Sequence, residues 1–169
     1  MLNLEPLPWP AVGAVTLPLV GSRLISYSLG GNPGPWAEKL KTPKWRPPRA
    51  AFPIVWSGLY TGMGYASYLV WKEGGGFDGP ARLPLAMYGA QLALNFSWSP
   101  IFFGMRSLKG ALVNILVLDV AAAGTAYLFY RETPLAGYLM VPYLVWLSLA
   151  TALNYRICKD NSDEDVKKM

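Results

Sequence analysis

Five long apolar runs, separated by glycine, proline and charge, organise this chain. They extend from about Pro8 to Tyr27, Pro47 to Trp71, Leu83 to Phe103, Leu108 to Tyr130 and Pro134 to Cys158. Each approaches the ~20 residues that a helix needs to cross a hydrocarbon layer. The pattern therefore predicts an all-α integral membrane protein, a bundle of five transmembrane helices. Pro18 inside the first run predicts a kink, which neighbouring helices can accommodate. Gly30-Gly31-Asn32-Pro33-Gly34-Pro35 opens a long polar first loop, and Gly74-Gly75-Gly76 with Gly79-Pro80 parts the second run from the third. Arg106 to Lys109 and Arg131 to Pro134 read as short links. The tail from Asp160 to Met169 carries both signs of charge and predicts a frayed, flexible end. No internal repeat is visible, so residues 1–169 read as one domain and not as an inverted-repeat carrier.

The entrance to the second run carries the most information. Trp45-Arg46-Pro47-Pro48 places an aromatic ring at the expected membrane–water boundary, beside two residues that lack an amide donor and have a fixed φ. Both prolines suit the start of a helix. Composition agrees with this reading: 53% of residues are hydrophobic and 15% charged, against about a quarter charged in soluble domains. Twelve of the 15 lysines and arginines fall in the first loop, the third loop, the tail and the helix ends beside them; Lys72, Arg82 and Arg131 fall on the other side. The positive-inside rule then puts the C-terminus in the cytosol. The net charge of +5 belongs to loops facing anionic lipid, and no nucleic-acid partner is expected. Met1 to Glu5 has no basic region, so no cleaved signal peptide is expected.

The chain has no histidine, which removes the usual haem ligand, zinc ligand and general base. Cys158 is alone and cannot form an intramolecular disulfide. No metal site, cofactor or catalytic nucleophile is expected. What remains is aromatic and polar. Trp56, Tyr60, Trp98 and Trp146 suit the walls of one cavity for flat apolar ligands, with plain core packing as the alternative. Gln91 and Asn95 share a helix face, where interhelical hydrogen bonding is the simplest role. Asp119 lies mid-span and must be protonated, paired or near water. Gly58, Gly62 and Ala66 line small residues along the second span for close packing, and Ala86 and Ala90 are a softer version that a second protomer could face. Leu153, Tyr155 and Lys159 fit a weak sterol-recognition pattern. Tyr155 offers a flat face, and Lys159, four residues on, offers a donor for a sterol hydroxyl. From the pattern alone, a snorkelling helix end is the simpler reading.

Several segments together carry a family resemblance: Thr42-Pro43-Lys44-Trp45-Arg46-Pro47-Pro48, Trp56-Ser57-Gly58-Leu59-Tyr60, Met63 to Glu73, Gln91-Leu92-Ala93-Leu94-Asn95, Pro100 to Gly104, Pro142 to Leu147 and Leu153-Asn154-Tyr155. Over nearly its whole length the chain resembles the translocator protein family, the former peripheral-type benzodiazepine receptors, in their vertebrate form. The resemblance implies five spans in the outer mitochondrial membrane. It implies binding of cholesterol, of protoporphyrin and haem-related porphyrins, and of synthetic isoquinoline and benzodiazepine ligands, with a role in transport or sensing. Positions matching the family's pocket are Ser22, Ile25, Phe52, Trp56, Val117, Trp146, Ala150 and Leu153, to which Tyr60, Asn95 and Trp98 are added here as ligand-binding candidates. The family's sterol motif falls on Leu153, Tyr155 and Lys159. A homodimer is a further implied partner, although alanines 86 and 90 replace the glycines of the proposed contact. Gly110 stands where family members commonly carry tryptophan. The alternative function is enzymatic: bacterial relatives are reported to degrade protoporphyrin in light, and Trp56 and Trp146 match the implicated tryptophans.

Overall fold

Breakers in the sequence set the helix ends, and packing sets which faces turn inward. The structure, a computed structural model, describes residues 8–169. Seven α-helices follow in order: α1 Trp9–Ser28, α2 Pro35–Glu38, α3 Ala51–Glu73, α4 Arg82–Ser99, α5 Leu108–Glu132, α6 Pro134–Asp160 and α7 Asp163–Lys168. A π-helical turn, Pro100–Gly104, continues α4. Among the described residues there is no strand. Two helices, α5 and α6, are long and apolar enough by length and composition to cross a membrane. Residues 1–7, where the chain's first acidic side chain falls, lie outside the described residues.

Three boundaries differ from the sequence reading. The second long helix begins at Ala51 and not at Pro47. A residue before proline is disfavoured in the α region, which keeps Arg46 and Pro47 out of a helix. The Pro48 carbonyl accepts the Ala51 amide in the turn that leads in. The third run stops being α-helical at Ser99, because Pro100 brings no amide donor and the chain widens into the π turn. The tail is not frayed. Ser162 Oγ accepts the Asp165 amide and caps α7, and Val166 is fully buried. Pro18 lies buried inside a continuous α1.

The core between α3, α4, α5 and α6 is built on Met63, Val70, Leu118, Phe129, Met140, Tyr143 and Leu147. Helix α1 lies against α3, and the approach is made by Gly64. A Cβ there would stand 2.5 Å from the Ala14 carbonyl oxygen and 2.8 Å from Val15 Cα. The Gly58–Gly62–Ala66 row contributes less: Gly58 faces open space, Gly62 has only an ordinary approach to the Leu139 carbonyl, and Ala66 is buried. Ala86 and Ala90 are exposed on α4.

One end of the bundle gathers the first loop, the α4–α5 link and the C-terminus. Trp36, Leu40, Phe102, Leu108, Leu153, Ile157 and Val166 form a second apolar cluster there. Trp36, from α2, is 5% exposed and lies 6.1 Å from the Phe102 ring and 6.2 Å from Phe103. The Arg106 guanidinium covers it at 5.4 Å from the ring centre. Arg106 sits in the αL region at φ 50°, where the link doubles back into α5. The first loop is therefore packed down at this end. The exposed Arg49–Glu38 ion pair adds little to that.

Candidate ligand-binding cavity

The inner faces of α1, α3, α4, α5 and α6 enclose a cavity of about 290 Å³ at the end capped by the first loop. Helical spacing brings its walls together. Ser22 and Ser26 stand four apart on α1, and Pro53, Ser57 and Tyr60 share a face of α3. Leu147, Ala150, Leu153, Asn154 and Ile157 follow the i, i+3, i+4, i+7 rule on α6. The rim holds the exposed Arg23, Ser26 and Pro53, between the end of α1 and the start of α3. A wider depression outside α1, about 540 Å³, lies open beside the exposed Leu24 and Tyr27, with Arg23 and Ser26 also on its walls.

Aromatic rings make the cavity's shape. Trp56 stacks on Tyr60 at 5.3 Å and meets the edge of Tyr143 at 6.2 Å. Phe52 meets Trp146 edge-on at 5.6 Å, and Trp98 stacks on Phe102 at 4.7 Å. Such pairs contribute roughly 0.5–1.5 kcal/mol each and hold the rings at fixed angles. Trp98 is further tied by its Nε1, which donates to Asn154 Oδ1 at 2.9 Å, while Asn154 Nδ2 donates to the Leu108 carbonyl. Trp146 differs: its Nε1 is buried without a protein acceptor. A buried N–H left unpaired costs about 1–3 kcal/mol.

The polar floor is a chain of hydrogen bonds. Tyr60 Oη donates to Asn95 Oδ1 at 2.6 Å, and Asn95 Nδ2 donates to Tyr143 Oη at 3.0 Å. Tyr143 Oη donates to Gln91 Oε1 at 2.7 Å, and Gln91 Nε2 approaches Met63 Sδ at 4.0 Å. Gln91 and Asn95 thus bond to the same tyrosine across the bundle. Asp119 stands apart from the cavity: Thr151 Oγ1 donates to its Oδ2 at 2.8 Å, and Oδ1 is buried without a partner.

Of the sequence candidates, Ser22, Phe52, Trp56, Tyr60, Asn95, Trp98, Trp146, Ala150 and Leu153 line the cavity. Ile25 and Val117 do not. On α1 the cavity face is centred between Ser22 and Arg23, and half-buried Ile25 is turned off it. On α5 the inward residues are Ile115, Leu118 and Ala122; Val117, about 100° round from Leu118, is 50% exposed on the outside. The sterol motif is divided between two faces. Leu153 is buried at the cavity wall, whereas Tyr155, 57% exposed, and Lys159 point outward, so Leu153 is not on the surface the other two offer. Phe102, Ile115, Leu118 and Asn154 line the cavity without having been singled out from sequence. The helical repeat from Leu147 to Asn154 held a signal for Asn154; the π turn that swings Phe102 inward had none. Gly110 has its amide on Ser107 Oγ, and a Cβ there would stand 2.7 Å from that oxygen and 3.2 Å from Ile101. Among the described residues no cluster of potential metal ligands is present.

Comparison with known proteins agrees along most of the chain. The TspO/MBR family model matches residues 14–159. The chain is 46% identical over 155 residues to the translocator protein of Homo sapiens and 44% identical to that of Sus scrofa. Both alignments cover 91% of this chain and 92% of the relative. The tryptophan-rich sensory protein of Cereibacter sphaeroides is 40% identical over 131 residues, covering 77% of this chain and 79% of that one.

Proposed function

The chain belongs to the TspO/MBR family of membrane proteins, and on that premise we propose that it is a receptor for flat apolar ligands, porphyrins among them, held in the cavity behind the first loop. The observation that carries the proposal is the cavity wall of aromatic rings, Phe52, Trp56, Tyr60, Trp98, Phe102 and Trp146. Such walls suit flat apolar ligands by stacking and burial. At about 290 Å³ the cavity is at the small end of the range for ligand sites. It suits an isoquinoline-sized molecule whole. A tetrapyrrole would insert one edge and leave the rest at the rim, beside the Arg23 guanidinium, which suits a propionate.

A sterol takes a different place, on the outer face of α6, against Tyr155 and near the Lys159 ammonium. The five long helices are the spans. The end that carries twelve of the 15 lysines and arginines faces the cytosol, from the outer mitochondrial membrane. The exposed small residues Ala86, Gly89, Ala90 and Ala93 of α4 suit a homodimer.

Titration of the purified protein with protoporphyrin, an isoquinoline carboxamide and cholesterol is the test of ligand class. Trp146→Phe should weaken the first two and spare the sterol. Equal binding of all three by the variant and the parent would sink the cavity reading. For orientation, protease added to intact mitochondria should remove a tag placed after Met169; a protected tag would reverse the topology.

A further inference from the structure

The floor of the cavity has a direction, and the direction predicts what a ligand must carry. The chain Tyr60–Asn95–Tyr143–Gln91 ends on Met63, whose thioether sulfur has no proton and can only accept. Gln91 therefore turns its Nε2 to the sulfur and its Oε1 to Tyr143. Tyr143 then donates to Gln91 and must accept from Asn95 Nδ2. That leaves Asn95 Oδ1 to accept from Tyr60. Every donor along the line points inward, and Tyr60, the member stacked on Trp56 at the cavity, has committed its proton to Asn95. Its phenolic oxygen offers only lone pairs to whatever binds.

From this polarity we infer that the cavity selects flat apolar ligands bearing an O–H or N–H donor toward Tyr60. Gln91 and Met63 act as positioning residues: neither lines the cavity, and both set the sense of the chain. The inference rests on the cavity reading given above and adds a specificity to it. A reversed chain would present the Tyr60 proton and select acceptors, so the two senses make opposite demands. A donor has a second attraction. Tyr60 donating to Asn95 while accepting from a ligand polarises along the same line, and aligned hydrogen bonds reinforce one another.

The experiment compares 2-phenylindole with 2-phenylbenzofuran, which share shape and area and differ in replacing N–H by oxygen. Dissociation constants are measured with the full-length protein in phospholipid nanodiscs, with protein-free discs subtracted. The expected result is tighter binding of the indole by about three- to tenfold, the worth of one neutral hydrogen bond. Tyr60→Phe should bring the ratio to about one by weakening the indole alone. Met63→Leu, outside the cavity, should leave the benzofuran unchanged and still lower the ratio, because Gln91 is then free to turn over. A protein that merely loosens would lose both ligands together. Equal affinities in the parent, a preference for the benzofuran, or a ratio that survives Tyr60→Phe would overturn the polarity while leaving the cavity reading intact. Failure of both ligands to bind above the protein-free discs would overturn the two together.

Discussion

The side chain of Asn161 holds the backbone of Lys41 from both sides. Its Oδ1 accepts the Lys41 amide at 3.1 Å, and its Nδ2 donates to the Lys41 carbonyl at 3.0 Å. The same Nδ2 also closes α6 by donating to the Ile157 carbonyl. Two residues on, Asp163 Oδ1 accepts the amides of Leu108 and Lys109, placing a carboxylate at the positive end of α5. One short stretch after α6 thereby fastens both the first loop and the start of α5.

This fastening is testable by protease. Asn161→Ala should cost about 1 kcal/mol and raise the rate of cleavage within the first loop about fivefold under conditions where opening is in equilibrium. Val166→Asp should have a larger effect, because it puts an unpaired charge in a buried apolar site. Cleavage rates equal to the parent's in both variants would show that the loop is held without the tail.

Rings at the cavity should matter for affinity and little for folding. Trp56→Ala is expected to weaken protoporphyrin binding tenfold or more, since it removes a stacked wall, with helicity retained in circular dichroism. Retained affinity with retained helicity would make Trp56 core packing alone.

Much of the architecture was legible because its signals are local. Proline and glycine punctuation marks the loops, and the alternation of charge along the chain puts the first loop, third loop and tail together, where Trp36, Phe102, Leu108 and Val166 indeed meet. Less local features were not legible. The close approach of α1 and α3 falls on Gly64 and not on the regular Gly58–Gly62–Ala66 row, because which face a neighbour occupies is a property of the assembled bundle. The tail looked unstructured by composition; its order comes from Val166 burying beside Trp36 and Leu108, from Asn161 bonding Lys41, 120 residues away along the chain, and from the local cap of Ser162 on Asp165. Val117 was carried over from family likeness, and a one-residue shift round a helix is enough to turn such a side chain out of a site.

Gly64 gives the third expectation. Gly64→Val would push a branched side chain against the Ala14 carbonyl and Val15 Cα, both backbone atoms that cannot rotate away. Overpacking of this kind costs about 1–3 kcal/mol, and the apparent Tm in detergent should fall. Gly58→Ala, at an open position, should leave it within error. A Tm reduced more by the second change than by the first would contradict the packing described.

For the sterol, Tyr155→Ser should lower photo-crosslinking more than Lys159→Ala, because lost contact area outweighs one exposed hydrogen bond. Undiminished labelling of α6 in Tyr155→Ser would reduce the motif to a snorkelling helix end.

That motif lies across a helix, with Leu153 on the cavity and Tyr155 on the outside. The two occupants proposed for opposite sides of α6 would not compete for space, so each could be titrated at saturation by the other. Any influence between them must pass through one helix, and equilibrium linkage makes it symmetric. The factor by which a sterol changes the porphyrin's affinity is the factor by which the porphyrin changes the sterol's. A single pair of titrations, run in both orders, therefore measures whether α6 is a partition or a lever.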